Sequence, residues 1–210
     1  MQANQDLERL VQARIEESAA VKLVLLVEEG ATTQITEIAK DLVAAFRGGR
    51  RLFLFGNGGS AADAQHIAAE LAGKYMLNRR ALPAVALTTN TSCLTAMAND
   101  YAYEEVFARQ IEALGSPGDI AIGISTSGDS PNVLRAIETA NARGLLTLGL
   151  TGKNGGKLKS LAQRCVCVPS EQTPRIQEIH ILLGHIFCEI VEQELFAPAP
   201  EPAGEFANMT

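Results

Sequence analysis

Arg51-Leu52-Phe53-Leu54-Phe55-Gly56-Asn57-Gly58-Gly59-Ser60 is an apolar run that ends in a glycine-rich turn and opens onto a helical pattern. Arg51–Phe55 reads as a short buried strand, and Ser60 to about Tyr75 reads as a helix. A strand feeding a helix through glycines is the building unit of parallel α/β sheets. The alternation continues outward from it. Strands are expected at Ala84–Leu87, Asp119–Ile124, Leu145–Leu150 and Cys165–Val168. Helices are expected at Thr91–Ala98, Glu104–Ala113, Pro131–Arg143, near Lys157–Ala162 and at Arg175–Leu195. The order predicts an α/β fold: a doubly wound, flavodoxin-like, five-stranded parallel sheet with helices on both faces. In such sheets ligands bind beyond the carboxyl ends of the strands.

Two helices precede this unit. Leu7, Leu10, Val11, Ile15, Ala19, Leu23 and Leu26 recur at helical steps, and Gly30 closes the segment. Thr32–Thr33 offers a cap for a second helix through about Phe46. An α/β domain does not require either helix, so they are expected to serve packing between subunits. The alternative is that they simply cover one face of the sheet. Residues 1–196 read as one domain. The tail, 197–210, holds three prolines and almost no apolar periodicity, and is expected to be disordered.

The 210 residues are 47% hydrophobic and 20% charged, enough for a core without a disulfide framework. Net charge is −6, and Arg79–Arg80 is too small a basic cluster for nucleic-acid binding. The cysteines Cys93, Cys165, Cys167 and Cys188 form no C-x-x-C pair, and Cys165 and Cys167 read as packed free thiols. Charged residues from Asp6 to Glu17 exclude a signal-type apolar region there. The longest uncharged run, Ala81–Asn99, holds Pro83, four threonines and two asparagines, so no membrane span is expected. A cytoplasmic location is the expectation.

Two loops look built for a phosphate. Gly56-Asn57-Gly58-Gly59-Ser60 lets backbone approach a ligand, with free helix N–H groups behind it. Ser125-Thr126-Ser127-Gly128-Asp129-Ser130 brings four hydroxyls to a helix start, with Ser130 as N-cap and Pro131 in the first helical position. Asp129 is an awkward neighbour for a phosphate. Its carboxylate is expected to point away or to meet a cation such as Arg135. The first loop also fits the dinucleotide fingerprint G-x-G-x-x-[GA]. That reading needs an acid near the end of the second strand, and none occurs between Glu70 and Asp100.

All three histidines lie on expected helices. His66 and Glu70 stand at i and i+4, a spacing that can chelate a metal. Gln177 and His185 are eight apart, on neighbouring faces of the last helix, and Gly184 leaves room beside His185. A buried histidine is more often a hydrogen-bonded core residue, which is the reading for His180. Spacing alone does not bring the two helices together.

At these residues the sequence resembles the phosphoheptose isomerase family, whose fold is the sugar isomerase (SIS) domain. The resemblance rests on G-N-G-G-S at 56–60, Q-H-I-A-A-E at 65–70, A-N-D at 98–100, I-S-T-S-G-D-S at 124–130, L-T-G-K-N-G-G at 150–156 and R-I-Q-E-I-H at 175–180, followed by His185. It implies a zinc ion (Zn2+) held by His66, Glu70, Gln177 and His185. It implies phosphate binding by Ser60, Ser125, Thr126, Ser127 and Ser130 with Gly58 and Gly59. Asn57, Asn99 and Asp100, with Glu70 and Gln177, would meet the sugar chain. It further implies a homotetramer acting on sedoheptulose 7-phosphate for surface-glycan (lipopolysaccharide) heptose synthesis. Asp129 departs from the Asn frequent in the family.

Moving a proton between C1 and C2 of a 2-ketose requires a base, an acid and stabilised oxygen charge. Glu70 is the expected base and His185 the partner acid/base. A carboxylate bound tightly to zinc is a poorer base, so Glu70 is expected to exchange between the two roles. The rival functions are a non-catalytic relative, the DnaA initiator-associating protein, which this chain resembles at Ala98-Asn99-Asp100 and Gln110, and a sugar-phosphate sensor. The metal-site acid and histidine, Glu70 and His185, favour the enzyme.

Overall fold

The structure is a computed structural model that describes residues 2–197. The tail expected to be disordered lies outside the described residues beyond Ala197. The helices are α1 (Gln2–Val27), α2 (Ala31–Arg47), α3 (Gly59–Ala72), α4 (Thr91–Asp100), α5 (Ala108–Leu114), α6 (Pro131–Ala142), α7 (Leu158–Leu161) and α8 (Thr173–Phe196). The strands are β1 (Leu52–Gly56), β2 (Ala84–Ala86), β3 (Ile120–Ser125), β4 (Leu146–Gly152) and β5 (Arg164–Val168). They form one sheet in the order β2-β1-β3-β4-β5, every neighbouring pair parallel.

Strand alternation divides the core into two layers. Leu52 and Leu54 of β1 point to one face, with Ile120 and Ile122 of β3, and pack under α2, α3 and α8. Phe53 and Phe55 point to the other and pack under α5, α6 and α7. All of β1 and β3 is buried, as strands covered on both faces must be. The order reverses between β1 and β3. Their carboxyl ends therefore form a crevice, and the two hydroxyl- and glycine-rich loops follow these two strands.

Several local expectations need correction. Thr32 and Thr33 do not cap α2. Gly30 stands at its N-cap with φ +80°, and both threonines lie inside the helix. Glycine is favoured there because a Cβ resists that backbone region. The segment expected as one helix over Glu104–Ala113 is a 3-10 turn at Tyr103–Glu105 followed by α5. The helix expected to reach Tyr75 stops at Ala72, and Gly73 follows.

For α2 the alternative holds: Ile35, Ile38, Ala39, Leu42, Val43 and Phe46 are buried on the sheet side. On α1, by contrast, Leu7, Leu10, Val11, Ile15, Leu23, Val24, Leu26 and Val27 are exposed in the single chain. Cys165 is buried and Cys167 half-buried, both as free thiols. Among the described residues no helix is long and apolar enough to cross a membrane.

Candidate active site

Each glycine of the first loop has a separate steric reason. A Cβ on Gly56 would lie 2.7 Å from the Ile124 carbonyl oxygen, so only glycine lets β1 and β3 end so close together. Gly58 holds φ +56°. A Cβ on Gly59 would strike the Gln177 amide, 2.3 Å from Nε2. Gly59 therefore seats a side chain of α8 at the start of α3. Ser60 follows, buried, in the first turn.

In the second loop, buried Ser125 is the hub. Its Oγ lies 2.9 Å from Ser130 Oγ and 3.4 Å from Ser127 Oγ, and accepts the Gly128 N–H at 3.2 Å. Ser130 occupies the N-cap position of α6, but its hydroxyl makes no capping bond and turns to Ser125 instead. Thr126 is half-buried and Ser127 exposed beside it.

The loop is propped from behind by Gly152–Leu158. The Gly152 N–H donates to the Thr126 carbonyl at 3.1 Å, and the Leu158 N–H to the Gly128 carbonyl at 2.9 Å. Asp129 points away from the hydroxyls, accepting the Lys157 N–H at 3.1 Å. Arg135 does not meet it and pairs with Glu105 at 3.0 Å.

The two loops are tied by a residue that sequence reasoning did not single out. Asn57 and Asn132 exchange amide hydrogen bonds of 2.8 and 2.9 Å, and Tyr103 Oη donates to Asn57 Oδ1 at 3.1 Å. No local pattern around Asn132 signals this pairing, which spans 75 residues of chain. Asn57 is thus engaged within the protein. Asn99 and Asp100 sit at the exposed end of α4, bonded to each other at 2.8 Å and outside the hydrogen-bond network of the loops. Gln110 is buried and donates to the Leu87 and Val106 carbonyls, so it is not part of a docking surface.

The helices α3 and α8 do meet. A Cβ on Gly184 would stand 2.6 Å from Ile67 Cδ1, so glycine permits the close approach. That contact brings His66 Nε2 to 2.9 Å from His185 Nε2, with Glu70 Oε1 3.5 Å from His66 Nε2. The Tyr75 ring stacks on His185 with centroids 5.8 Å apart. As drawn, one imidazole donates to the other. Two nitrogens on one tetrahedral zinc stand about 3.3 Å apart for Zn–N bonds of about 2.0–2.1 Å. Among the described residues no three His, Cys, Asp or Glu side chains are arranged so that they could hold a metal ion as they stand. The donor chemistry still suits zinc: two imidazoles facing each other through Nε2, a carboxylate beside them, and the Gln177 amide two turns back.

Asp63, one turn before His66, was also missed. Its Oδ2 is buried without a partner, and burial pushes the carboxyl up to about 6, against the pull of His66.

His180 is a core residue. Its ring is buried, 3.2 Å from the Thr151 carbonyl through Nε2, and burial pushes it down from 6.5 to about 4, against that bond. The unfolded chain therefore binds the extra proton first as pH falls. Stability from this group is complete above about pH 6.5 and is lost toward pH 4, amounting to about 3 kcal/mol. Urea unfolding of wild type and His180→Gln is expected to show that excess acid sensitivity in wild type alone. Parallel pH profiles for the two would contradict the assignment.

Comparisons with known proteins bear on these residues. Residues 17–152 match the family model described as the SIS domain. The chain is 49% identical over 190 residues to the phosphoheptose isomerase of Sulfurimonas denitrificans, covering 90% of this chain and 97% of that one. It is 54% identical to that of Aquifex aeolicus, covering 84% and 92%. The structure of a phosphoheptose isomerase from Neisseria gonorrhoeae superposes with a TM-score of 0.83 at 41% identity, covering 89% of this chain and 99% of that one.

Proposed function

The chain belongs to the phosphoheptose isomerases of the SIS-domain family, and from that membership we propose how its own residues carry the reaction. It isomerises sedoheptulose 7-phosphate to D-glycero-D-manno-heptose 7-phosphate. The observation that carries the residue assignment is the meeting of His66, His185 and Glu70 on the two helices that flank the glycine loop.

The phosphate sits at the crevice between β1 and β3. Ser60, Ser125, Thr126, Ser127 and Ser130 hold it by hydroxyl donation, with the free N–H groups at the start of α3 exposed at Gly58 and Gly59. Ser60 and His66 are six residues apart on α3, a rise of about 9 Å. The sugar chain spans that distance, which places C1 and C2 at the far end from the phosphate. Asn99 and Asp100 contribute only if α4 closes over the chain.

Glu70 takes the proton from C1, giving an enediol, and returns it to C2. His185 moves the accompanying proton between the C1 and C2 oxygens. A zinc ion held by His66, Glu70, Gln177 and His185 would supply Lewis-acid polarisation of those oxygens. The exposed apolar face of α1 is where copies of the chain pack, in a homotetramer by family analogy. The reaction is cytoplasmic and supplies heptose for a surface glycan such as lipopolysaccharide.

The test is turnover of sedoheptulose 7-phosphate by purified protein, followed by NMR. An aldoheptose 7-phosphate should appear, the rate should fall at least about tenfold on chelation, and zinc should restore it. Full activity in exhaustively chelated protein would remove zinc from the proposal. No conversion by folded, zinc-loaded protein would remove the enzymatic role.

A further inference from the structure

We propose that the buried ion pair Arg79–Glu192 is the positioning element of this site, fixing the loop after α3 so that Tyr75 stays stacked on His185 and the end of α3 that carries Glu70 stays in place. The proposal rests on the catalytic reading of Glu70 and His185 given above.

Gly73 ends α3, and the chain from Lys74 to Arg80 forms neither helix nor strand. Core packing holds this loop only at half-buried Tyr75, since Met76 is 71% exposed and Leu77 36%. The ion pair holds the rest. Glu192 accepts three successive backbone N–H groups at 2.8 Å: Tyr75 on Oε1, and Met76 and Leu77 on Oε2. Arg79 Nε adds a fourth bond at 2.9 Å.

The guanidinium then turns back onto α3. One terminal nitrogen donates to the carbonyls of Leu71 at 2.7 Å, Gly73 at 3.0 Å and Arg80 at 3.1 Å. The other donates to the Glu70 carbonyl at 2.8 Å. Carbonyls at a helix end have no partner within the helix, and here one arginine supplies it.

The Arg79 and Glu192 side chains are 1% and 2% exposed. Burial works to raise the Glu192 carboxyl, but the N–H donors of Leu77, Tyr75 and Met76 with Arg79 outweigh it and hold it below the usual range. A buried ion pair contributes little net stability compared with an apolar contact of the same size. What this one provides is geometry. Glu192 lies seven residues after His185 on α8, two turns along nearly the same face. The pair therefore links the backbone of the Glu70 turn, the Tyr75 ring and the helix of His185 in one rigid unit. A misplacement of about 1 Å at such a site costs on the order of a hundredfold in rate.

Four variants test this: Glu192→Gln, Arg79→Lys, Tyr75→Leu and Tyr75→Phe. Since altering a buried charge can unfold the chain, Tyr75→Leu carries the test independently: it leaves the ion pair and the Tyr75 backbone bond intact. The chain has three histidines, so the imidazole resonances of metal-free protein can be assigned by NMR. The expected result for Glu192→Gln, Arg79→Lys and Tyr75→Leu is a kcat lowered about ten- to a hundredfold with KM within about twofold. The His185 resonances should shift while those of His180 stay put. Tyr75→Phe, which keeps the ring, should restore most of the loss. Folded Tyr75→Leu with wild-type kcat, or with His185 resonances unmoved, overturns the proposal. If wild type itself fails to isomerise, the catalytic reading falls, and the resonances alone decide whether the pair positions His185.

Discussion

Glu70→Gln and His185→Ala are each expected to lower kcat by about a thousandfold or more while the protein remains folded. Glu70 is the carboxylate at the His66–His185 contact, 3.5 Å from His66 Nε2, and it is only part-buried. Glutamine keeps its shape and removes its basicity, so under the proposed role C1 would have no group to accept its proton. His185 is held by Tyr75 on one side and His66 on the other. Alanine there removes both the proposed proton carrier and a proposed donor to the metal. Neither side chain fills the buried core, so circular dichroism and the melting temperature should stay close to wild type. Near-normal isomerisation by either folded variant would assign the proton transfers elsewhere, and Asp63, with its raised carboxyl, would be the first group to examine.

The second large effect is expected for Gly128→Ala, in binding. Gly128 holds φ +72°, and a Cβ there would lie 2.0 Å from the Gly155 carbonyl oxygen. The obstacle is backbone, so it cannot swing aside as a flexible side chain would. Accommodating the methyl must separate the hydroxyl loop from the Gly152–Leu158 segment that props it. That breaks the Leu158 N–H bond to the Gly128 carbonyl and disturbs the Gly128 N–H bond to Ser125 Oγ within the loop. KM for the sugar phosphate should rise by about a hundredfold, since in the proposed site several charge-assisted bonds to one phosphate depend on the loop. Stability should fall by about 2–4 kcal/mol from the strained backbone and lost packing. Isothermal titration with substrate and urea unfolding measure the two effects separately. Unchanged KM would mean that the phosphate does not rest on this loop.

These two predictions probe opposite ends of the proposed substrate, and they differ in how visible their reasons were. The proposed base and its histidine lie on patterns that can be read locally: the i, i+4 step of His66 and Glu70, and the glycine beside His185. The reason for Gly128 lies in Gly155, beyond the next strand, and the L-T-G-K-N-G-G stretch gave no hint that it was a prop. Asn132 and Tyr103 were invisible for the same cause. Each meets Asn57 only because the sheet order sets β1 beside β3. Thr32 and Thr33 lie inside α2, while Ser130 holds the N-cap position of α6 without the capping bond, because capping is one of several bonds a hydroxyl can make. Gly30 took the first place, and Ser125 took the Ser130 hydroxyl.

The parallel α/β architecture, the two loops after β1 and β3 and the helices that carry the histidines were legible along the chain. Alternating apolar runs, glycines and helical spacing are local properties, and they act within a few residues. Long-range packing sets that α3 and α8 touch at Ile67 and Gly184, that His66 meets His185, and that Arg79 and Glu192 close the end of α3. Those contacts join residues more than a hundred positions apart. Their existence depends on which side of the sheet each helix crosses and how closely the helices pack, which no short stretch of chain encodes.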